Sequence, residues 1–345
     1  MKKVIALILV LVMAVGLMAG CGDNSTGDAG AASGKFGGKD LNTDSVKIAY
    51  IPVGTAGANI KISEMARDDV LISYPNGNIE INFFDAAYDP TKQITIVNDC
   101  VAQGYDGIVI ECADEVALTA PLEAAEQAGV VVCVTNMGCN GLTSMYLNSY
   151  SYDAGWAVGE MMVEKMGTSG NVVLLDCPAA MVATTLHGKG FQDYIAQYPD
   201  IKLIDYANID GFSQETANTV FRDMLTKHDK IDAVYAMADD MAMGVAAAIE
   251  TAGREGDGIL VYGSEGMPYT CEAIKEGRIT GTVWADRYTF CTTAFVSTLL
   301  YINMGINTVN LGLETTPWVK FPFQKIDESN VDDMIPLLRY GMIKD

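Results

Sequence analysis

From residue 46 onward, short runs of β-branched residues alternate with helical-period patterns of about a dozen residues, the signature of βα units building a parallel sheet. The first strand is VKIAYI at 46–51. Ile60, Ile62, Met65, Ala66 and Val70 then recur at helical spacing, and Pro75, Asn76 and Gly77 turn the chain into IEINFF at 79–84. The pattern predicts a helix over 91–103, strand GIVI at 107–110, a helix over 117–128 stopped by Gly129, strand VVVCV at 130–134 and strand MYLN at 145–148. A second series follows: helix 153–166, strand 171–175, helix 185–197, strand 201–206, helix 214–227 and strand 233–236. It continues with helix 241–251, strand 259–263, helix 269–276 and a last strand, TGTVW, at 280–284. Two similar α/β lobes are expected, with any ligand beyond the carboxyl ends of their strands.

The front of the chain is different. Lys2 and Lys3 precede an apolar run over 4–19, shorter than the roughly 20 residues a membrane-crossing helix needs, so residues 1–20 read as a secretory signal. The run ends in Leu17, Met18, Ala19, Gly20 and Cys21, which resembles a bacterial lipobox and makes Cys21 the expected lipidation site. Residues 21–45 carry Gly, Ser, Ala, Asn and Asp with almost nothing apolar, and are expected to form a flexible tether. Asp40, Asn42 and Asp44 have the opening spacing of a calcium loop, but Ser45 and Ile51 occupy the positions that need Gly and Glu. Subtracting 45 from 345 residues leaves about 300, enough for two domains.

Composition narrows the function. Asp plus Glu number 44 against 22 Lys plus Arg, a formal charge of −22 that repels phosphate backbones and anionic headgroups, so nucleic acid is not an expected partner. Cys100, Cys112 and Cys133 lie in apolar strand or helix patterns, so the cysteines after Cys21 are expected as buried free thiols. His187 and His228 are the only histidines, and no dinucleotide fingerprint, Walker loop, zinc-protease motif or zinc-spaced cysteine pair is present. No catalytic residue, cofactor or metal is therefore expected.

The DGIVI strand with Asp114 beyond it, HGKGF at 187–191, AMADDMAMG at 236–244 and GSEGMP at 263–268 together resemble the extracytoplasmic solute-binding proteins of the type 1, ribose-binding-like fold. The resemblance implies two doubly wound parallel-sheet lobes joined by a three-strand hinge. It places crossings near Ser149, Asp286 and Pro317. The N-terminal lobe would hold 46–149 plus 287–316, the C-terminal lobe 150–286 plus 317–345. It implies a non-enzymatic monomer, held to the outer face of the membrane by lipid on Cys21, that delivers a small polar ligand to the permease of an ABC importer. Open alternatives are a sensor component for a chemoreceptor or histidine kinase, and a binder of a nucleoside or other non-sugar solute. A transcription regulator shares the architecture by resemblance but carries a basic headpiece where this chain has its apolar leader.

The resemblance carries the acidic sugar contacts onto Asp114 and Glu265, since an ionised carboxylate can accept hydrogen bonds from two hydroxyls. Asp114 also suits a capping role for the segment after it. The family's aromatic pair falls on Asn59 and Ile60, an arginine position on Thr185, an asparagine on Ala238 and a glutamine on Ala285. Losing those donors argues against a plain ribose or glucose contact set. Thr55, Asn136, Asn148, Tyr150, Thr184, Asp239 and Asp286 are the expected substitutes near strand ends, with Phe212 a candidate stacking ring.

Overall fold

The computed structural model describes residues 37–55, 58–136, 138–148, 151–177 and 182–334; the side chains of residues 58, 59, 148, 182–184 and 285 are not described. The signal, Cys21 and Tyr150 lie outside the described residues.

The first sheet contains β1 (Ser45–Ile51), β2 (Asn78–Phe83), β3 (Gly107–Ile110), β4 (Val131–Asn136), β5 (Met145–Asn148) and β11 (Trp318–Lys320), in the order β11-β5-β4-β3-β1-β2 with every pairing parallel. The second contains β6 (Ser169–Asp176), β7 (Asp200–Asn208), β8 (Ala233–Ala236), β9 (Leu260–Tyr262), β10 (Gly281–Ala285) and β12 (Phe323–Asp327), in the order β12-β10-β9-β8-β6-β7. Only its edge pairing, β12 on β10, is antiparallel. Both sheets reverse strand order beside their first strand, at β1/β3 and at β6/β8, the switch points where an open α/β sheet leaves a crevice.

Burial follows the two-residue period of the strands. Val46, Ile48 and Tyr50 of β1 join one core of the first lobe, while Ala49 and Ile51 join the core on the opposite face. The second face is covered by α2 (Pro90–Ala102) and α3 (Thr119–Gln127) through Val97, Cys100, Leu122 and Ala125. The first is covered by α1 (Ala58–Ile72) and by a helix from far along the chain. Burial of both faces explains why GIVI and AVYA are continuously apolar. Asp89 caps α2 by accepting from Thr91 N at 2.8 Å, ahead of Pro90 in the first turn.

In the second lobe, α4 (Ser151–Met166) and α5 (Val182–Ile195) cross very closely. A Cβ on Gly190 would lie 2.0 Å from the Tyr152 carbonyl oxygen, and one on Gly188 would lie 1.9 Å from Asp176 Oδ2. The glycines of HGKGF are thus spacers for a neighbouring backbone and a buried carboxylate. The remaining helices are α6 (Gln214–Lys227), α7 (Asp239–Ala252) and α8 (Pro268–Lys275). Strand β10 leads into α9 (Arg287–Met304), whose Phe290, Phe295, Leu299 and Ile302 return to the first-lobe core; α10 (Thr308–Leu311) follows.

Two expectations change. The crossing placed near Pro317 comes after Lys320, because Trp318, Val319 and Lys320 pair with Tyr146, Leu147 and Asn148 in the first sheet. The tether placed over 21–45 is packed at its described end. Leu41 is buried in the first-lobe core, Lys39 bonds Ile302 O through its amide at 3.2 Å, and its ammonium reaches Asp106 at 2.6 Å. These bonds, the buried Leu41 and a close approach of Gly38 to Asn303 O hold residues 38–41 against the end of α9. The cysteines at 100, 112, 133, 139, 177, 271 and 291 are free, and all but Cys139 are buried.

Candidate functional site

The loops at the carboxyl ends of the two sheets come close together, with Tyr88 after β2 lying 6.3 Å from Phe212 after β7. On the first-lobe side, Glu111 follows β3, and its amide donates to Ile51 O at 3.0 Å. Its carboxylate is 3% exposed; Oε1 accepts from Arg287 at 2.7 Å and from Tyr50 Oη at 3.4 Å. Arg287, the first residue of α9, also donates to Tyr50 Oη at 2.9 Å and to Ser63 Oγ at 3.4 Å. Burial alone would lower the Arg287 pKa, but Glu111, first among the opposing charges, holds it well above its ordinary value. Tyr50 is pushed well up by burial, against the pull of Arg287. The result is a fixed polar floor that ties β1, β3, α1 and α9 together beside the hinge.

On the second-lobe side, Glu265 follows β9 at φ 116°, a conformation that costs a non-glycine residue about 1–3 kcal/mol. Its amide bonds Val283 O at 2.7 Å. The loop is held from below: Asp239 Oδ2 accepts from Met267 N at 2.6 Å, Oδ1 from Thr282 Oγ1 at 2.7 Å, and the Asp239 amide donates to Ser264 O at 2.9 Å. Burial, then the charge of Glu265, raises the Asp239 pKa well above the carboxylate range. Asp176, 3% exposed at the end of β6, is pushed up to about 6 by burial. His187 is pushed down to about 4 by burial and meets Tyr235 Oη through Nδ1 at 3.2 Å; that hydroxyl lies 2.8 Å from Ser264 Oγ.

A ring pair bridges the lobes. Tyr88, in the loop after β2, lies 6.3 Å from Phe212, which closes a 3-10 turn after β7. Among the described residues, a depression of about 580 Å³ also opens at the opposite ends of the second-sheet strands, lined by Glu164, Ile259, Leu260, Glu276, Arg278 and Thr280 among others.

A periplasmic binding protein domain family matches residues 75–303, well over half of the chain. The chain belongs to the periplasmic binding protein family. Among curated relatives, this periplasmic binding protein is 28% identical over 206 residues to the ribose import binding protein RbsB of Bacillus subtilis, covering 59% of this chain and 66% of the relative. It is 28% identical over 208 residues to a xylitol-binding protein of Mycolicibacterium smegmatis, covering 59% and 58%. The matches thus span less than two thirds of the length of these relatives. A solute-binding protein from Actinobacillus succinogenes, solved with bound D-allose, superposes with a TM-score of 0.74 at 20% identity over 84% of this chain and 100% of that one, a likeness of fold.

In the periplasmic binding protein the predicted residues fall in different settings. Thr55 hydrogen-bonds Asp85 beyond β1; bonds from the Ala87 amide first, and from Thr55, lower the Asp85 pKa. Asn136 ends β4 in the left-handed region at φ 57°, and its carbonyl accepts from Tyr146 Oη at 3.4 Å. Asn59 sits in the first turn of α1, and Thr185 lies in α5, half-buried with a partner of its own. Asp114 caps: Oδ1 accepts from Val116 N at 2.9 Å and Ala117 N at 2.8 Å. Asp286 is likewise the N-cap of α9, accepting from Thr289 N at 3.0 Å and Thr289 Oγ1 at 2.5 Å. Asp239, expected to touch ligand, is fully buried with both oxygens engaged, and supports the Glu265 loop instead. Glu111, Arg287 and Tyr88 join them as candidates that the sequence does not single out. A charged residue directly after an all-apolar buried strand was the available signal for Glu111; nothing local marks the other two.

Proposed function

We propose that this protein is an extracytoplasmic solute receptor, anchored by lipid on Cys21, that captures a small polar ligand between its lobes and delivers it to the permease of an ABC importer. A sugar or sugar derivative is the ligand class that its relatives suggest, with ribose, xylitol and D-allose named among them. The observation that carries the reading is the partly exposed Glu265 carboxylate in the loop after β9, beside β10 in one lobe, with the Glu111–Arg287 polar floor at the carboxyl end of β3 in the other. Thr55, Asn136, Thr185 and Phe212 stand near those ends as further candidate contacts, with Asp114 at the edge of the first-lobe group. The receptor acts as a monomer and no covalent step is part of its work.

Only contacts that differ between open and closed forms can shift a hinge. Moving that balance from 1:99 to 99:1 takes about 5.5 kcal/mol of differential affinity. A few charge-assisted hydrogen bonds from ligand hydroxyls to cleft carboxylates, Glu265 in one lobe and Asp114 in the other, at about 1.5–3 kcal/mol each, are of that order. The test is a thermal-shift screen with sugars, polyols, nucleosides and amino compounds, followed by calorimetry on Glu265→Ala. Affinity should fall about ten-fold or more, the equivalent of about 1.4 kcal/mol, while the melting temperature without ligand stays put. Unchanged affinity removes Glu265 from the site.

A further inference from the structure

We propose that Tyr88 is the aromatic wall of the first lobe, that its contact with Phe212 latches the cleft, and that the pair selects a ring-shaped sugar or cyclitol over an open-chain polyol. The proposal rests on the receptor reading above and assigns a role to a residue that its sequence context does not mark.

Three observations carry it. First, Tyr88 is built into place. Its amide donates to Val53 O at 2.7 Å, Asp85 Oδ1 accepts from Ala87 N at 2.9 Å, and both Ala87 and Tyr88 sit in the left-handed region, at φ 52° and 60°. Non-glycine residues adopt that region sparingly, and such outliers cluster at ligand clamps. Second, the ring packs against the exit of β1: a Cβ on Gly54 would come within 2.6 Å of Tyr88 Cε2 and 2.9 Å of Cζ. The glycine therefore admits the ring to the loop between β1 and α1, where Asn59 and Ile60 offer no aromatic. Third, the ring reaches the other lobe. Its centroid is 6.3 Å from that of Phe212 with the planes at 46°, and Phe212 is itself left-handed at φ 56° after Gly211 at φ 67°.

The surroundings fit a carbohydrate. Burial first, then the charges of Glu111, Glu265 and Asp85, raises the Tyr88 pKa, so the phenol senses the strand-end carboxylates of both lobes. Ring faces reward a flat array of C–H groups, while carboxylates on the flanks take hydroxyls. A cyclic ligand presents such a face ready-made; an open-chain polyol must lose torsional freedom to imitate it. Since Tyr88 and Phe212 belong to different lobes, their contact exists only when the lobes are together, and it favours the closed form directly.

The experiment is calorimetry on the full-length protein with D-ribose, D-allose, myo-inositol and xylitol, repeated on Tyr88→Ala, Tyr88→Phe and Gly54→Ala. At least one cyclic compound should bind ten-fold or more tightly than xylitol. Tyr88→Ala should weaken that compound ten-fold or more and shrink its advantage over xylitol, Tyr88→Phe should stay within three-fold, and Gly54→Ala, which displaces the ring, should follow Tyr88→Ala. If Tyr88→Ala does not fold, the Gly54→Ala and Tyr88→Phe pair decides alone. Tight cyclic binding that Tyr88→Ala and Gly54→Ala leave intact, or xylitol as the tightest ligand, overturns this inference but not the receptor reading. No binding by any of the four overturns this inference, and the receptor reading falls with it only if the wider thermal-shift screen also finds no ligand.

Discussion

Removing the Glu111 carboxylate tests the polar floor of the first lobe. In Glu111→Ala, Arg287 loses its 2.7 Å partner while its side chain is only 17% exposed, and it keeps Tyr50 at 2.9 Å and a long bond to Ser63. Breaking a buried pair in this way costs about 3–5 kcal/mol, because the remaining charge stays desolvated. For a chain of this size each kcal/mol moves the melting temperature by roughly 2 °C, so a fall of roughly 6–10 °C is expected. Arg287→Met should cost about as much by stranding Glu111, at 3% exposure. The double variant Glu111→Leu with Arg287→Met leaves no orphaned charge and should recover most of the loss. Calorimetry and urea unfolding, each at 0.15 M and 1 M NaCl, complete the cycle; a buried pair is nearly insensitive to that change in screening. If the lobes unfold separately, the first-lobe transition alone should move. A coupling energy below about 0.5 kcal/mol would refute the reasoning, as would a loss that high salt abolishes.

Asp176 has a folded pKa raised from 3.8 to about 6, so its contribution is fully present below 3.8 and is lost as pH rises through about 6. Asp176→Asn should therefore gain stability at pH 7.5, by at most about 3 kcal/mol, and gain nothing at pH 3.5; equal gains at both would exclude proton linkage. Gly190→Ala would push a methyl to 2.0 Å from the Tyr152 carbonyl oxygen, so α4 and α5 must part; a loss of about 1–3 kcal/mol or more is expected in urea unfolding, and a neutral result would contradict the crossing. Cys21→Ser should move the protein from the membrane fraction to the soluble fraction or the medium, because two or more acyl chains anchor stably where a polar side chain cannot; continued membrane retention would defeat the lipoprotein proposal.

Strand and helix order was legible because each element carries its own period. GIVI, MYLN and AVYA and the helix at 214–227 are local patterns that need no partner to be read. The apolar run over 4–19, the acid excess and the lack of catalytic motifs were equally local. The resemblance carried by HGKGF and GSEGMP pointed to two lobes and to Glu265, while the reason for the glycines lay in α4 and in Asp176, which only packing reveals. Beyond Trp284 local pattern named no element: the resemblance placed 287–316 in the first lobe, where α9 packs, but β11 is a three-residue edge strand that only its pairing with β5 reveals. Carboxylates were readable as a chemical type but not as a role. Asp114, Asp239 and Asp286 each sit near a strand end or helix start, and whether the side chain caps backbone amides or faces the cleft depends on which N–H groups the fold brings within about 3 Å. The Glu111–Arg287 pair joins residues 176 positions apart and the Tyr88–Phe212 contact joins two lobes, so both belong to the tertiary structure alone.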